Sequence, residues 1–355
     1  MLHVLPHPGG GGETYVKALA HIEGYRAEFA YLAPQVAAAN PAALLLRGFV
    51  DVPRMMREHS LLHAHGEVAA GLCLSSLARR PSVVTLHGLH LLRRLDGLRR
   101  RAAVANLRLV LRAASRTICV SQAEHDDLVD ALGAKAAQRA VVILNGVEAA
   151  TLPGAGERSE ARAELGIAED AVAGAFIGAL DEVKDPLTAA RAALQADGGT
   201  RGLVLLMAGT GPLQLQLEQM AAGPGGAALR ILGYRSDIRR VLAAADFFVL
   251  PSKREGLSFA VLEAMALGLP AVVSDAAGNP EAVGDAGIVV RLGDIDGFAA
   301  AFGRLRDDAP HRASLGARAR ERVAQDFRAD RMRLQTREIY DEALDGRGPA
   351  AGAAS

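Results

Sequence analysis

The feature that most constrains this chain is an alternation. Short, fully apolar runs recur along it, each followed by a stretch of helical period. A first series comprises Leu2–Leu5, Ser60–Ala64, Val83–Leu86, Thr117–Val120 and Val141–Leu144. A second comprises Val172–Ile177, Leu203–Ala208, Leu229–Leu232, Phe247–Leu250, Ala271–Ser274 and Gly287–Val290. Segments such as Glu67–Ala78, Leu98–Ala113, Leu213–Ala221 and Ile238–Ala244 have helical spacing of their apolar residues. A strand apolar on both faces must be covered on both faces, so the pattern predicts parallel sheets flanked by helices, an α/β class.

At 355 residues the chain exceeds one core and suits two. The alternation breaks after Asn145-Gly146, where small and charged residues over Glu148–Asp170 predict a linker plus a short helix. The expected division is an N-terminal domain over 1–150 and a C-terminal domain over 151–328. A helix over 329–344 can return to the N-terminal domain, and a Gly/Ala/Pro tail over 345–355 is expected to be disordered.

Half the residues are apolar and only 4% aromatic, with no Trp, so the cores are built from Ala, Leu and Val. The two cysteines, Cys73 and Cys119, lie in separate apolar runs, which suits buried thiols in a reducing compartment. No signal-like opening and no apolar stretch of 18 residues is present, so a cytoplasmic protein is expected. Net charge is zero but uneven. Residues 1–150 hold 17 Lys/Arg against 12 Asp/Glu, and the remainder 23 against 28. The first half therefore favours an anionic partner.

In open parallel sheets, ligands bind beyond the carboxyl ends of the strands. The richest such position is Pro251-Ser252-Lys253-Arg254-Glu255-Gly256-Leu257-Ser258-Phe259, running into a helix that carries Glu263. A strand, a Gly-bearing turn and a helix start make an anion site, because free amides and the positive dipole end converge there. A phosphate suits the amides near Leu257–Phe259, and a carboxylate beside it suits a hydroxyl pair. A solvated Glu on an amphipathic helix is the alternative for Glu263. It fits poorly with neighbours Val261, Leu262, Ala264 and Met265.

Glu255 and Glu263, eight residues apart, resemble the E-x7-E motif of retaining glycosyltransferase family 4, whose members have the GT-B fold. The surrounding PSKREGLSFAVLEAMALGLPAVVSD is similar to that family's most specific stretch. The resemblance extends over essentially the whole chain, through PHPGGGGET, TLHG at Thr85–Gly88, LNGVE at Leu144–Glu148, AGTGP at Ala208–Pro212 and LGYRSDIRRVLAAADFFVLPS at Leu232–Ser252. It implies two Rossmann-like domains facing each other across a cleft, the N-terminal one for the acceptor and the C-terminal one for a nucleotide-sugar. It further implies that Glu263 holds the ribose hydroxyls and Glu255 the donor sugar. Arg254, Gly256 and the amides of Leu257, Ser258 and Phe259 reach sugar and phosphate, Lys184 neutralises the diphosphate, and Gly209 and Gly211 line the donor site. One position departs from the pattern: Ala179 stands where the family commonly has an Arg that joins Lys184 on the diphosphate.

In the first half, Gly9–Gly12 follows a strand and reads as a phosphate loop, although Thr14 replaces the third glycine of a dinucleotide fingerprint. The resemblance assigns Gly10 and Gly11 to close approach of the donor phosphates, and a flexible turn is the alternative. His87, at a strand end before Gly88, is assigned to the donor sugar or phosphate. His63, His65, His87 and His90 suggest a metal only weakly, lacking Asp or Cys companions, and strand-end histidines lining the cleft are expected instead. No metal and no cofactor is expected, the nucleotide-sugar being a substrate. The segment Arg93–Arg116 contains eight Arg and one acid, with Arg94, Arg101, Arg108 and Arg112 on one helical face. Such a face suits anionic lipid or an acidic acceptor, or is simply solvated. Without interleaved aromatics it does not suggest nucleic acid.

The expected function is retaining, metal-independent transfer of a hexosyl or N-acetylhexosaminyl group. The donor is a UDP- or GDP-sugar, and the acceptor a hydroxyl on a glycan, a glycolipid or other lipid-linked acceptor, or a small molecule. The protein would be cytoplasmic or peripheral on the inner face of an anionic membrane. The alternatives are a non-catalytic GT-B subunit that binds nucleotide-sugar, and a GT-B epimerase or phosphorylase.

Overall fold

The computed structural model describes residues 1–33, 40–89, 92, 95–199 and 202–346. His90, Arg93, Arg94 and the tail from residue 347 lie outside them. The chain forms two compact units, Met1–Asn145 with Ala329–Ser355, and Gly146–Arg328.

Unit 1 carries six strands, β1 (Leu2–Leu5), β2 (Glu28–Tyr31), β3 (Leu62–His65), β4 (Ser82–Thr85), β5 (Arg116–Cys119) and β6 (Ala140–Val142). All pairings are parallel and the order is β2-β1-β3-β4-β5-β6. The register sets His3 beside His63, and His65 beside Thr85. Leu2, Val4, Leu62, Ala64 and Val84 build the core with Leu107, Val110 and Leu111 of the helix Gly97–Ala113. Cys73 and Cys119 are free and buried. Burial pushes the Cys73 thiol up to about 12 and the Cys119 thiol higher still, so neither is a reactive thiolate. The helix Ala329–Leu344 packs on this unit: Arg116 donates to Glu342 at 2.9 Å and Tyr25 to Asp341 at 2.6 Å.

Unit 2 carries β7 (Val172–Ile177), β8 (Leu203–Ala208), β9 (Leu229–Gly233), β10 (Phe247–Leu250), β11 (Ala271–Ser274) and β12 (Ile288–Val290), also all parallel. Their order is β12-β11-β10-β7-β8-β9. The stretch read as a linker plus a short helix holds the helix Ala155–Glu164. It is anchored within this unit, because Arg158 pairs with Asp246 at 2.6 Å and the buried Arg162 donates to the carbonyl of Ala244 at 3.1 Å.

Strand β2 has no counterpart among the apolar runs. It is an edge strand of Glu-Phe-Ala-Tyr, half exposed, and so carries no double-sided apolar signature. The segment Glu67–Ala78 is two helices, Gly66–Leu72 and Leu74–Leu77, with Cys73 between them out of helical geometry. Arg116, counted with the basic helix, lies in β5 instead and is buried against Glu342. No described helix is long and apolar enough to cross a membrane.

Candidate functional site

The strand order of unit 2 reverses between β7 and β10. At such a switch point the loops leaving the two strands part to opposite sides of the sheet and open a crevice. The β7 loop is organised by Asp181, whose Oδ1 accepts from the amides of Val183 at 3.0 Å and Lys184 at 2.9 Å. The carbonyl of Val183 accepts from the amide of Lys253 at 2.8 Å, which ties this loop to the β10 loop. Lys184 Nζ then donates to Glu255 Oε1 at 2.5 Å. Glu255 is 6% exposed, whereas the Lys184 side chain remains 28% exposed.

The β10 loop runs into the helix Phe259–Ala266. Ser258, its N-cap, makes no side-chain cap bond, and no acid stands in the first turn. The positive end of the dipole is thus not neutralised by its own helix. Behind the turn lies a buried polar support. The Ser274 hydroxyl donates to the Ser252 carbonyl at 2.5 Å, and Asn279 Nδ2 donates to the hydroxyls of Ser274 at 3.0 Å and Ser252 at 3.3 Å. A Cβ at Gly278 would stand 1.3 Å from the Gly256 carbonyl oxygen, so only glycine lets that backbone pass under the turn.

Glu263 is half-buried on a helix otherwise buried at Val261, Leu262, Ala264 and Met265. Among the described residues its carboxyl makes no hydrogen bond or ion pair, and burial holds that carboxyl above the usual range. A half-buried carboxyl without a partner on this helix is able to accept hydrogen bonds from a ligand's hydroxyls. Arg254 has a buried Nε with no hydrogen-bond partner. Ala179 is exposed at the start of the loop leaving β7. Gly209 and Gly211 have a packing reason for being glycine: a Cβ would meet the Gly178 carbonyl oxygen at 1.8 Å and the Leu180 carbonyl oxygen at 2.4 Å. They seat the β8 loop against the backbone that leads to Lys184.

In unit 1 the order reverses between β1 and β3. The helix Gly10–Leu19 begins inside the glycine run, and Gly9 and Gly10 have φ of 86° and 73°. Gly11 is exposed, has no positive φ and has nothing near its Cβ direction, so no internal packing requires glycine there. The amide of Gly9 donates to Glu13, which also pairs with Lys17 at 2.7 Å. Those two bonds, the Lys17 one foremost, hold the Glu13 carboxyl below the usual range.

His87 is half-buried with φ of 62°, an uncommon conformation for a residue with a Cβ. Glu124, the third residue of the helix Gln122–Leu132, holds this loop: its buried carboxylate accepts from the amides of Gly88 and, at 2.7 Å, Val120. A Ser-x-x-Glu box at Ser121–Glu124 was the available signal, but it announces only a helix start. His63 and His65, expected to line a cleft, are instead 0% and 1% exposed. With His3 they form a buried group whose ligand nitrogens lie within 4.8 Å. His63 uses both ring nitrogens, on Tyr340 at 2.7 Å and Thr85 at 2.8 Å.

Residues 9–151 match the family model described as Glycosyltransferase Family 4, and residues 171–308 the one described as Glycosyl transferases group 1. The N-acetyl-alpha-D-glucosaminyl L-malate synthase of Bacillus anthracis is 36% identical over 116 residues, which is 32% of this chain and only 30% of that relative. The D-inositol 3-phosphate glycosyltransferase of Kineococcus radiotolerans is 28% identical over 84% of this chain and 74% of its own length. Among solved structures, Anabaena Alr3699/HepE in complex with UDP-glucose superposes with a TM-score of 0.81 at 23% identity, covering 96% of this chain and 99% of that one. At that identity the likeness speaks for the fold, which is GT-B.

Proposed function

The chain belongs to glycosyltransferase family 4, and from that premise we propose that it transfers a sugar from a UDP- or GDP-sugar to an acceptor hydroxyl with retention at the anomeric carbon. The observation that carries the reading is the Lys184–Glu255 pair at the switch point of unit 2, with the unpartnered Glu263 carboxyl on the helix that follows Glu255. In this reading Glu263 takes the ribose hydroxyls, Glu255 a hydroxyl of the donor sugar, and Lys184 the diphosphate. Arg254, Gly256 and the amides of Leu257, Ser258 and Phe259 complete the contact, with Gly209 and Gly211 shaping the donor side. The structures of Anabaena Alr3699/HepE with UDP and UDP-glucose support a nucleotide-sugar as ligand.

The chemistry needs a leaving group stabilised as charge develops on it, and preorganised cations and amides do this without reorganisation. The acceptor oxygen bonds to the anomeric carbon on the face from which the diphosphate departs. The bond from that carbon to the phosphate oxygen breaks, and the acceptor's proton passes to the departing phosphate. No side chain forms a covalent intermediate and no metal ion is assigned a step. Unit 1 takes the acceptor, a glycan, a lipid-linked molecule or a small molecule. His87, with Gly10 and Gly11, contributes hydrogen bonds to donor sugar or phosphate. The exposed Arg face of the helix Gly97–Ala113, where Arg100, Arg101 and Arg108 border a cavity of about 420 Å³ with Val104 and Ala131, suits an anionic acceptor or the inner face of a membrane. A cytoplasmic location follows in the same reading.

A panel of nucleotide-sugars screened by thermal shift, followed by donor hydrolysis and NMR of the product anomer, tests this. Binding and slow hydrolysis of one UDP- or GDP-sugar with the anomer retained are expected, and inversion would overturn the mechanism. Exposed Ala179, where the family pattern has an Arg, favours the second reading of a non-catalytic subunit. Nucleotide binding without turnover of any donor would select it.

A further inference from the structure

The histidines of unit 1 form a chain of imidazoles that ends on His87. His3 Nδ1 stands 2.9 Å from His65 Nε2, and His65 Nδ1 stands 3.1 Å from His87 Nε2. His3 is 0% exposed and His65 1%, and the His65 and His87 rings stack with centroids 5.4 Å apart. The edge of His87 is fixed further by Tyr15, whose ring meets it nearly perpendicular at 4.9 Å. We propose that His3 and His65 are positioning residues that set the tautomer of His87, placing its proton on Nδ1 and leaving Nε2 as the acceptor.

A neutral imidazole carries one N–H and one bare nitrogen. Each of the two nitrogen–nitrogen contacts holds one proton between its partners, so three neutral rings leave one proton over. It sits at one end of the chain, on His3 Nε2 or on His87 Nδ1. His3 Nε2 is buried and has no hydrogen-bond partner. A buried N–H without an acceptor is rarer and costlier than an unfilled lone pair. The proton therefore goes to His87, His3 donates to His65, and His65 donates to His87. Burial keeps His3 and His65 neutral, with His3 pushed down to about 3, so neither adds a further proton near neutrality. His63 stands outside the relay, because Tyr340 and Thr85 occupy its nitrogens. The histidines thus bond to one another and to hydroxyls rather than converging bare nitrogens on an ion. The bearing on transfer rests on the reading of His87 as a donor-contacting residue, for which an Nδ1–H would serve as hydrogen-bond donor.

The test is ¹H–¹⁵N correlation NMR of the full chain labelled at histidine, near pH 7.5, with His87 assigned by subtraction in His87→Gln. It needs no turnover, so its result is independent of whether the chain is a transferase. A single His87 tautomer protonated at Nδ1 is expected. His3→Leu removes the first donor and should convert that signal to a mixture, whereas His3→Asn, whose amide can donate, should restore the single form. The same variants leave packing to be checked by their unfolding midpoints. Protonation of His87 at Nε2 in the wild type, or an unaltered His87 spectrum in His3→Leu, would overturn the proposal. So would stoichiometric zinc binding that shifts His3, His63 and His65 together, which would make the group a metal site.

Discussion

Lys184 Nζ and Glu255 Oε1 meet at 2.5 Å although they are 71 residues apart and belong to loops leaving different strands. Glu255 is the more deeply buried partner, its side chain 7% exposed against 28% for Lys184. Removing the cation leaves a buried carboxylate without its charge partner, which is costlier than losing the pair altogether. Lys184→Met should therefore lower the unfolding free energy by about 2 kcal/mol. Lys184→Met with Glu255→Gln should regain most of it, read as a coupling in urea unfolding. Additive single effects would mean that the pair is incidental. A ligand phosphate that reaches Lys184 competes with Glu255 for the same ammonium.

Glu263 yields a prediction of two signs. Burial raises its carboxyl above the ordinary value of 4.5, so the folded state holds the proton more tightly than the unfolded one. That contribution is complete below 4.5 and is lost as pH rises through the raised value. Once ionised, the group therefore costs stability in the ligand-free protein. Glu263→Gln should raise the Tm at pH 7, while Glu263→Ala should weaken nucleoside diphosphate binding roughly 10- to 150-fold. Unchanged nucleotide affinity in Glu263→Ala removes the ribose assignment.

Ala179 is exposed, and Arg254 has a buried Nε without a partner. The expectation is that Arg254 or Lys253 replaces the missing guanidinium on the diphosphate. Arg254→Ala or Lys253→Ala should then lower kcat/KM by about tenfold, near 1.4 kcal/mol. If neither removal matters and Ala179→Arg lowers the donor KM severalfold, no substitute cation exists.

The helix Gly97–Ala113 exposes Arg101, Arg108 and Arg112, together with Leu98 and Leu109 at 80% and 50% exposure. Reversing the three Arg to Glu should abolish sedimentation with anionic vesicles at low salt, where such attraction is greatest, and leave donor hydrolysis unchanged. A wild type that stays in the supernatant at low salt returns the face to mere solvation.

The buried imidazoles give acid sensitivity a definite window. His3 is pushed down to about 3, with Met1's amino group adding to burial, and His63 and His65 lie well below 6.5. The unfolded chain binds these protons as pH falls below 6.5 and the folded chain does not, so stability is lost from there downward. Each group contributes up to about 1.4 kcal/mol per pH unit, and the three together up to about 4. Between pH 6.5 and 5, where carboxylates titrate little, urea midpoints should fall steeply. His3→Gln should be shallower by about a third of that slope, and identical slopes would place the protons elsewhere.

Much of the fold is legible locally. A strand buried on both faces in a parallel sheet is apolar throughout, so ten of the eleven runs overlap strands or coincide with them over most of their length, and Val141–Leu144 overlaps β6 by two residues. The edge strand Glu28–Tyr31 is silent because one side of it needs no cover. The spacing of Glu255 and Glu263 is legible for the same reason, since one turn and the helix after it carry both.

What the tertiary structure alone decided are the contacts that strand order creates between distant segments. Because β7 and β10 are neighbours, Val183 meets Lys253 and Lys184 meets Glu255. Gly178 stands over Gly209, and Gly256 over Gly278, for want of room for a Cβ. His3, His63 and His65 read as scattered histidines until parallel register sets β1 beside β3 and turns them into one buried group. Arg116 reads as one more cation of a basic run, yet its strand position buries it against Glu342. Periodicity records which side of an element faces a core. It carries no record of which other element supplies that core, because that choice is made by the sum of packing over the whole sheet rather than by any residue's own neighbours in sequence.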